Sequence, residues 1–241
     1  GILLLFILVL SGCFKEDEIV VPATPGDVKT TAIELTNNYR YQVYYSLSDD
    51  QVVAQNLKSN WDLGFESSEN GSLIILNTSS FTMAANTFST DFNAAIDTSG
   101  LVWQFDKSDG NRDSTAFREW VTSDDNGNFT YSSFVYVVNR GYDEFGNDRG
   151  LKKVVFQEVS DSGYSFRFAN LDGSEEYTSV ITKDPAMNFV HFSFDDGGTV
   201  LYQEPPKDSW DILFTQYTTL LYTNEGDPYP YLVTGSLINP A

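Results

Sequence analysis

The sequence predicts an all-β protein of antiparallel sheets in a sandwich-like arrangement, and three observations support this prediction. From about residue 31 onward, short segments rich in Val, Ile, Tyr, Phe and Thr alternate with turn-forming clusters such as Gly197-Gly198. Aromatic residues make up 15% of the chain, which indicates a packed core and not a disordered segment. A Trp-Asp-x-x-Phe sequence occurs twice, at residues 61–65 and 210–214, in each case within a strand-like apolar pattern.

These patterns place most of the expected strands in the chain. We expect strands at residues 31–36, 40–47, 60–67, 72–78, 100–105, 134–139, 151–158, 163–169, 177–182, 188–194, 199–203, 209–216 and 230–238. Only Ala84–Ile96 and Ser114–Val121 have helical character, and it is weak in both.

The first residues have the pattern of a bacterial secretory signal. Ile2 to Leu10 is an unbroken apolar run. A helix of that length rises about 14 Å, half of the ~30 Å hydrocarbon layer, so the run is too short to cross a bilayer. Leu10-Ser11-Gly12-Cys13 follows it and resembles a lipobox, in which the cysteine becomes the acylated first residue. We therefore expect residues 1–12 to be a signal peptide whose start is missing from the sequence, with Cys13 carrying the lipid.

Residues 13–30 are predicted to form a lipidated tether between the membrane and the domain. Residues 15–18 (KEDE) resemble the charged export tag of surface lipoproteins in the Bacteroidetes, although a solvated linker has the same composition. Val20 to Lys29 contains two prolines and a glycine, which favour an extended linker. Cys13 is the only cysteine, so the chain has no internal disulfide. We predict attachment to the outer membrane through Cys13, with the protein facing the cell exterior.

The charge of the chain excludes one class of partner. Fourteen basic and 34 acidic residues give a net charge of −20. Such a field repels nucleic acid, so we predict that the protein does not bind it.

The repeated Trp-Asp-x-x-Phe sequence predicts that one domain, residues 31–241, contains two related halves at about 31–130 and 131–241. In each copy the first, third and fifth residues are apolar. Since side chains alternate along a strand, we expect the Trp, Leu or Ile, and Phe to share one buried face, with the Asp on the other.

The residue types present argue against an enzyme. His191 is the only histidine, and no G-x-S-x-G, P-loop or G-x-G-x-x-G sequence occurs. We therefore predict no catalytic residues and no histidine-based metal site. Acidic turns at 106–113, 124–128 and 143–148 offer oxygen ligands for calcium, but hairpin turns use the same residues, and the sequence leaves both interpretations open.

Several segments of the chain are similar to the HmuY-like haem-binding lipoproteins of the Bacteroidetes. They are YYSLS at 44–48, NWDLGF at 60–65, FVYVVNRG at 134–141 and LKKVVF at 151–156. Together with the lipobox, the resemblance spans most of residues 1–170. It implies an all-β, non-enzymatic surface protein that captures haem and passes it to an outer-membrane receptor.

The chain differs from the best-known members of that group at the iron ligands. Those members hold haem iron with two histidines, one after an acidic Asp-Gly turn and one before the Phe-Val-Tyr-Val strand. Here Asn111 follows Asp109-Gly110, and the loop at 124–129 before Phe134 has no histidine. The resemblance then leaves two small sets of candidates. The axial candidates are His191, Met83 and Met187, and the propionate-contact candidates are Arg140, Lys152 and Lys153.

The residues allow a second function of a different class. A surface β lipoprotein of the same architecture would bind another ligand, such as a glycan or a protein partner, through its aromatic residues. Both methionines also suit ordinary core positions.

Overall fold

Antiparallel strands form almost all of the regular structure. The computed structural model describes Gly26 and residues 29–240. The strands are β1 (Tyr41–Ser46), β2 (Gln51–Leu57), β3 (Leu63–Glu66), β4 (Ile74–Leu76), β5 (Met83–Asn86), β6 (Val121–Ser123), β7 (Phe129–Tyr131), β8 (Val135–Asn139), β9 (Leu151–Ser160), β10 (Gly163–Ala169), β11 (Tyr177–Thr182), β12 (Phe189–Ser193), β13 (Thr199–Leu201), β14 (Ile212–Tyr222) and β15 (Pro228–Ile238). The described residues contain no α-helix, which confirms the all-β prediction.

The strands form three larger sheets and one small hairpin. Sheet A has the order β15-β14-β1-β2, sheet B has β13-β12-β3-β4, and sheet C has β11-β10-β9-β8-β5. Strands β6 and β7 pair only with each other. These sheets belong to one compact unit, Ala32–Ala241.

The main core lies between sheets B and C. Phe65 of β3 stacks on Phe166 of β10 with ring centroids 5.2 Å apart, and Phe192 of β12 meets Phe166 edge to face at 5.0 Å. All three rings are fully buried. Aromatic pairs at these separations stabilise a core beyond the area they bury. Sheets B and C therefore form the sandwich-like part of the fold.

The sequence repeat is also a repeat of structure, with strands exchanged between its copies. Strand β3 of the first copy pairs with β12, and β14 of the second copy pairs with β1. The Asp62 N–H donates to the Phe192 carbonyl at 2.8 Å, and the Asp211 N–H donates to the Tyr45 carbonyl at 2.9 Å. The two copies therefore contribute strands to the same two sheets, A and B.

Side chains of the two copies make the same backbone contacts. The Asp62 carboxylate accepts the Phe194 N–H at 2.8 Å, and the Asp211 carboxylate accepts the Leu47 N–H at 2.7 Å. The repeat also contains an asparagine that its sequence pattern does not reveal. The Asn77 amide donates to the carbonyls of Lys58 and Trp61 at 2.6 and 2.7 Å. The Asn239 amide donates to those of Lys207 and Trp210, both at 2.6 Å.

Several local predictions are wrong. Residues 31–36 form no strand, and the segment 100–105 contributes only an isolated bridge at Gln104. The helical character expected at Ala84–Ile96 is overridden, because Ala84 and Ala85 are buried in β5, where they pair with β8. The segment Ser114–Val121 forms no α-helix: Ser114 ends a 3-10 turn, residues 115–120 form turns and bends, and Val121 begins β6.

The predicted signal peptide at 1–12, Cys13 and most of the tether at 13–30 lie outside the described residues. Among the residues that are described, no helix is long and apolar enough to cross a membrane.

Candidate ligand-binding cleft

A cleft of about 830 Å³ opens between sheet A and the face of sheet B that points away from the core. Its size falls within the roughly 300–1,000 Å³ of small-molecule sites. Side chains of both sheets line it, together with the loop that contains the Asp109-Gly110 turn. The lining includes Gln42, Tyr44, Trp61, Asp106, Lys107, Asn111, Met187, His191, Glu204, Lys207 and Trp210.

Two aromatic pairs line this cleft. Each pair joins a residue from one copy of the repeat to a residue from the other copy. Tyr44 of β1 meets Trp210 edge to face, with centroids 5.0 Å apart. His191 of β12 meets Trp61 in the same way at 4.3 Å. Tyr44 in β1 and His191 in β12 occupy equivalent positions in the two copies of the repeat. The cleft therefore lies where the two copies face each other.

The prediction that each tryptophan shares a face with the Leu or Ile and the Phe of its motif is wrong. Trp61 and Trp210 are buried, at 6% and 7% exposure, but they point into the cleft. Strand β3 begins only at Leu63 and β14 only at Ile212, so side-chain alternation does not extend back to either tryptophan. The Trp61 indole donates instead to Gln42 at 2.8 Å.

His191 places a buried imidazole in the wall of the cleft. Its neighbours Val190 and Phe192 point into the main core, so the imidazole lies on the opposite face of β12. It pairs with Gly64 of β3, where the Ile75 side chain occupies the space that a Cβ on Gly64 would take. Its Nδ1 is buried and has no hydrogen-bond partner among the described residues. Burial lowers the pKa of His191 to about 3, so the imidazole is neutral at neutral pH.

The structure brings together two of the three axial candidates. Met187 lies just before β12 and lines the same cleft as His191. Met83 lies in β5, where it pairs with Asn139 within sheet C, and it does not line the cleft. A neutral imidazole and a thioether are ligands that haem iron accepts.

The three propionate-contact candidates have partners elsewhere. Arg140 contacts Asp62 at 3.0 Å and Asp195 at 2.7 Å, beside a separate cavity of about 670 Å³. Lys152 bonds to Asn170 at 2.7 Å, and the Lys153 ammonium is buried 4.9 Å from the Phe92 ring centroid.

Different cations line the cleft, and sequence reasoning missed them. They are Lys107, Arg112 and Lys207. Arg112 is paired with Glu66 at 2.6 Å. Lys207 is equivalent to Lys58 in the repeat, since both carbonyls accept the repeat asparagine. The recurring Lys-x-x-Trp-Asp spacing is the signal that could have found it.

The two loops in which the sequence resemblance implied iron ligands lie in different surroundings, and only the first reaches the cleft. Asn111 lines the cleft, and its side chain accepts the Asp113 N–H at 3.0 Å. In the loop before Phe134, Asn128 donates to Asp124 at 2.9 Å and does not line the cleft.

Two buried carboxyl groups lie at the cleft wall. Glu204 accepts hydrogen bonds from the Asn188 side chain at 2.8 Å and the Phe189 N–H at 3.1 Å. Burial raises the pKa of Glu204 to about 7. Asp106 accepts the backbone N–H groups of Leu76 and Ala116, yet burial still raises the pKa of its carboxyl to about 6. Ionising either group inside this wall is unfavourable.

The acidic turns have local roles for their carboxylates. Asp143 accepts the backbone N–H groups of Phe145 and Asn147, both at 2.8 Å, and Asp124 accepts those of Asn126 and Asn128. In the described part of the chain, no group of three or more His, Cys, Asp or Glu side chains is placed to hold a metal ion.

The aromatic-lined cleft between two sheets of this all-β fold has the size and lining of a small-molecule site. The chain belongs to the HmuY family, because a family model described as HmuY protein matches residues 38–183. This is a family of surface-associated binding proteins linked to haem. Neither the curated proteins nor the solved structures contain a match. His191, Met187, Glu204 and Trp210 all lie beyond the matched residues, so the family segment supplies only part of the cleft wall.

Proposed function

We propose that this protein captures haem or a related porphyrin in the cleft between sheets A and B, without catalysing a reaction. In this proposal the protein is anchored to the outer membrane through Cys13, faces the cell exterior and delivers its ligand to an outer-membrane receptor. The single observation that carries the ligand assignment is the buried His191 Nδ1 without a partner, in an aromatic cleft of a HmuY-family chain.

The chemistry of the cleft suits a flat, largely apolar ligand with acidic groups. Trp61, Trp210 and Tyr44 offer aromatic surface for a porphyrin ring. His191 and Met187 supply the nitrogen and sulfur that would hold the iron. Lys107 and Lys207 are the cations that would meet propionate groups, in place of Arg140, Lys152 and Lys153.

Haemin titration tests the ligand assignment. We expect a shifted, stronger Soret band that saturates at one haemin per chain. His191→Phe should weaken haemin binding roughly tenfold or more, because it removes the iron-binding nitrogens and keeps an aromatic ring against Trp61. Met83→Leu, a change outside the cleft, is the matched control and should bind like the wild type. A Soret band that protein leaves unchanged would overturn the assignment of haem.

Metal-free protoporphyrin separates ring binding from iron binding. Because Trp61 and Trp210 line the cleft, a bound porphyrin should quench tryptophan fluorescence in both the wild type and His191→Phe. If neither haemin nor protoporphyrin binds, the second candidate function, capture of a glycan or a protein partner, takes precedence.

The anchor is tested separately. Intact-mass measurement of protein from native membranes should show acyl chains on Cys13 and no residues before it. Protein recovered from the cytosol with a free Cys13 thiol would contradict the proposed location, whatever the outcome of the haemin titration.

A further inference from the structure

The hairpin formed by β14 and β15 is a long uncharged surface on a highly charged protein. Each strand has 11 residues, and neither contains an Asp, Glu, Lys or Arg, although 20% of the chain is charged. The hairpin exposes several large side chains, including Tyr222, Tyr231 and Ile238. Strand β15 forms one edge of sheet A, and no strand in the described part of the chain pairs with its outer side.

Backbone alternation shows which groups of β15 face outward. The Thr223 N–H donates to the Asp227 carbonyl at 2.9 Å and closes the hairpin, and the register then runs without a shift to Ile212 and Ile238. In an antiparallel pair, hydrogen-bonded and non-hydrogen-bonded positions alternate. The odd-numbered residues of β15 therefore bond to β14, and the even-numbered residues direct their N–H and C=O groups to the open edge.

Prolines block only the first part of this edge. Pro228 and Pro230 occupy even positions, where a missing N–H leaves the pairing with β14 intact. Prolines at an edge prevent the addition of another strand. The four remaining even residues each keep an outward N–H. These residues are Leu232, Thr234, Ser236 and Ile238.

The repeat shows how the same position is covered in the other copy. Leu76 of β4 stands just before Asn77, as Ile238 stands just before Asn239. The outward N–H of Leu76 is capped by the Asp106 carboxylate at 2.6 Å. No side chain in the described residues caps Ile238, and its own side chain is 84% exposed. The outward N–H of Ile238 is therefore available to bond another chain, whereas the equivalent N–H of Leu76 already donates to Asp106.

We propose that the open edge of β15 pairs with the β15 edge of a second copy of this chain, around a twofold axis at Gly235. This register places outward-facing residues opposite each other, as a hydrogen-bonded antiparallel pair requires. Leu232 then faces Ile238 of the second copy, and Thr234 faces its Ser236. On the other face of the sheet, Val233 meets Leu237 of the second copy. Apolar side chains thus meet apolar ones and hydroxyls meet hydroxyls.

The charge distribution of the protein favours a second copy of the chain as the partner of the β15 edge. A chain with a net charge of −20 repels a second copy over most of its surface. The β15 seam carries no charge, so two copies can approach there without placing carboxylates opposite each other. The pairing would join sheet A of both copies into one continuous eight-stranded sheet.

Sedimentation of the purified protein tests this association. We expect a concentration-dependent species of about twice 27.0 kDa. Thr234→Pro removes one outward N–H and should yield a monomer, whereas the matched variant Thr234→Ala keeps that N–H and should remain a dimer. Ser236→Lys, at an exposed position, should also yield a monomer, because it introduces charges of like sign near the axis. Circular dichroism verifies that each variant is folded.

Cross-linking tests the register, in a Cys13→Ser background. Chains with Thr234→Cys and chains with Ser236→Cys should form disulfides when mixed, since directly paired residues lie about 5.5 Å apart between Cα atoms. Each variant alone should cross-link much less. A monomer at all concentrations, a dimer that survives both Thr234→Pro and Ser236→Lys, or equal cross-linking in unmixed samples would overturn the proposal.

Discussion

Replacing Asp62 by alanine should destabilise the fold by about 3–5 kcal/mol, because it removes the counterion of two buried arginines. The Asp62 side chain is fully buried and contacts Arg140 at 3.0 Å and Arg149 at 2.9 Å. Both arginine side chains are more than nine-tenths buried. Burial lowers the pKa of Arg149. An arginine side chain keeps its charge in proteins. Without Asp62, Asp195 alone would face two positive charges.

The repeat offers a matched control for this substitution. Asp211 accepts the Leu47 N–H at 2.7 Å as Asp62 accepts that of Phe194, but it is only half-buried and no arginine of the described residues pairs with it. Asp211→Ala should therefore cost only about 1 kcal/mol, the usual value of one hydrogen bond. Urea denaturation of both variants measures the difference. Equal losses would show that the ion cluster adds nothing to the backbone contact.

Glu204→Gln should gain stability relative to the wild type as the pH rises, by roughly 3 kcal/mol between about pH 4 and pH 8. The native carboxyl has a pKa raised to about 7 by burial, against an ordinary value of 4.5. Between these two values the native state binds more protons than the unfolded state. The contribution of Glu204 is therefore greatest below about pH 4.5 and is lost as the pH approaches 7. Glutamine cannot ionise and escapes this loss.

The pH dependence should be measured as the difference in the free energy of unfolding between Glu204→Gln and the wild type. His191, whose pKa burial lowers to about 3, acts with the opposite sign, because its unfolded form takes up a proton below about pH 6.5. Subtracting the wild-type curve removes this contribution. Glu225→Gln, in the exposed turn between β14 and β15, supplies the baseline. A difference between Glu204→Gln and the wild type that does not change with pH would contradict the assigned ionisation of Glu204.

Sequence reasoning performs best where the structure follows from local pattern. Turn clusters separate short apolar segments, and most of the segments from Phe134 to Ile238 form strands close to the expected positions. Strand β2, with the sequence QVVAQNL, escapes this reasoning because it is an edge strand whose pairing with β1 matters more than its pattern. Strands β6 and β7, of three residues each, are too short to show a period.

In the candidate site, the sequence points to a residue mainly where its residue type is rare in the chain. His191 attracts attention as the only histidine, and the cleft does contain it. Nothing in the sequence separates Met187, which lines the cleft, from Met83, which pairs within sheet C. Glu204 could not be distinguished among 34 acidic residues, because its raised pKa depends on burial by neighbours from other segments.

The sequence by itself determined the class of fold, the duplicated Trp-Asp-x-x-Phe unit and the resemblance to HmuY proteins, since all three are written in local pattern and spacing. Only the tertiary structure decided that the copies exchange strands, that both tryptophans face a cleft, and that Asp62 meets Arg140, which lies 78 positions later in the chain. A period of two residues specifies that a strand has two faces, but which sheet covers each face depends on long-range pairing.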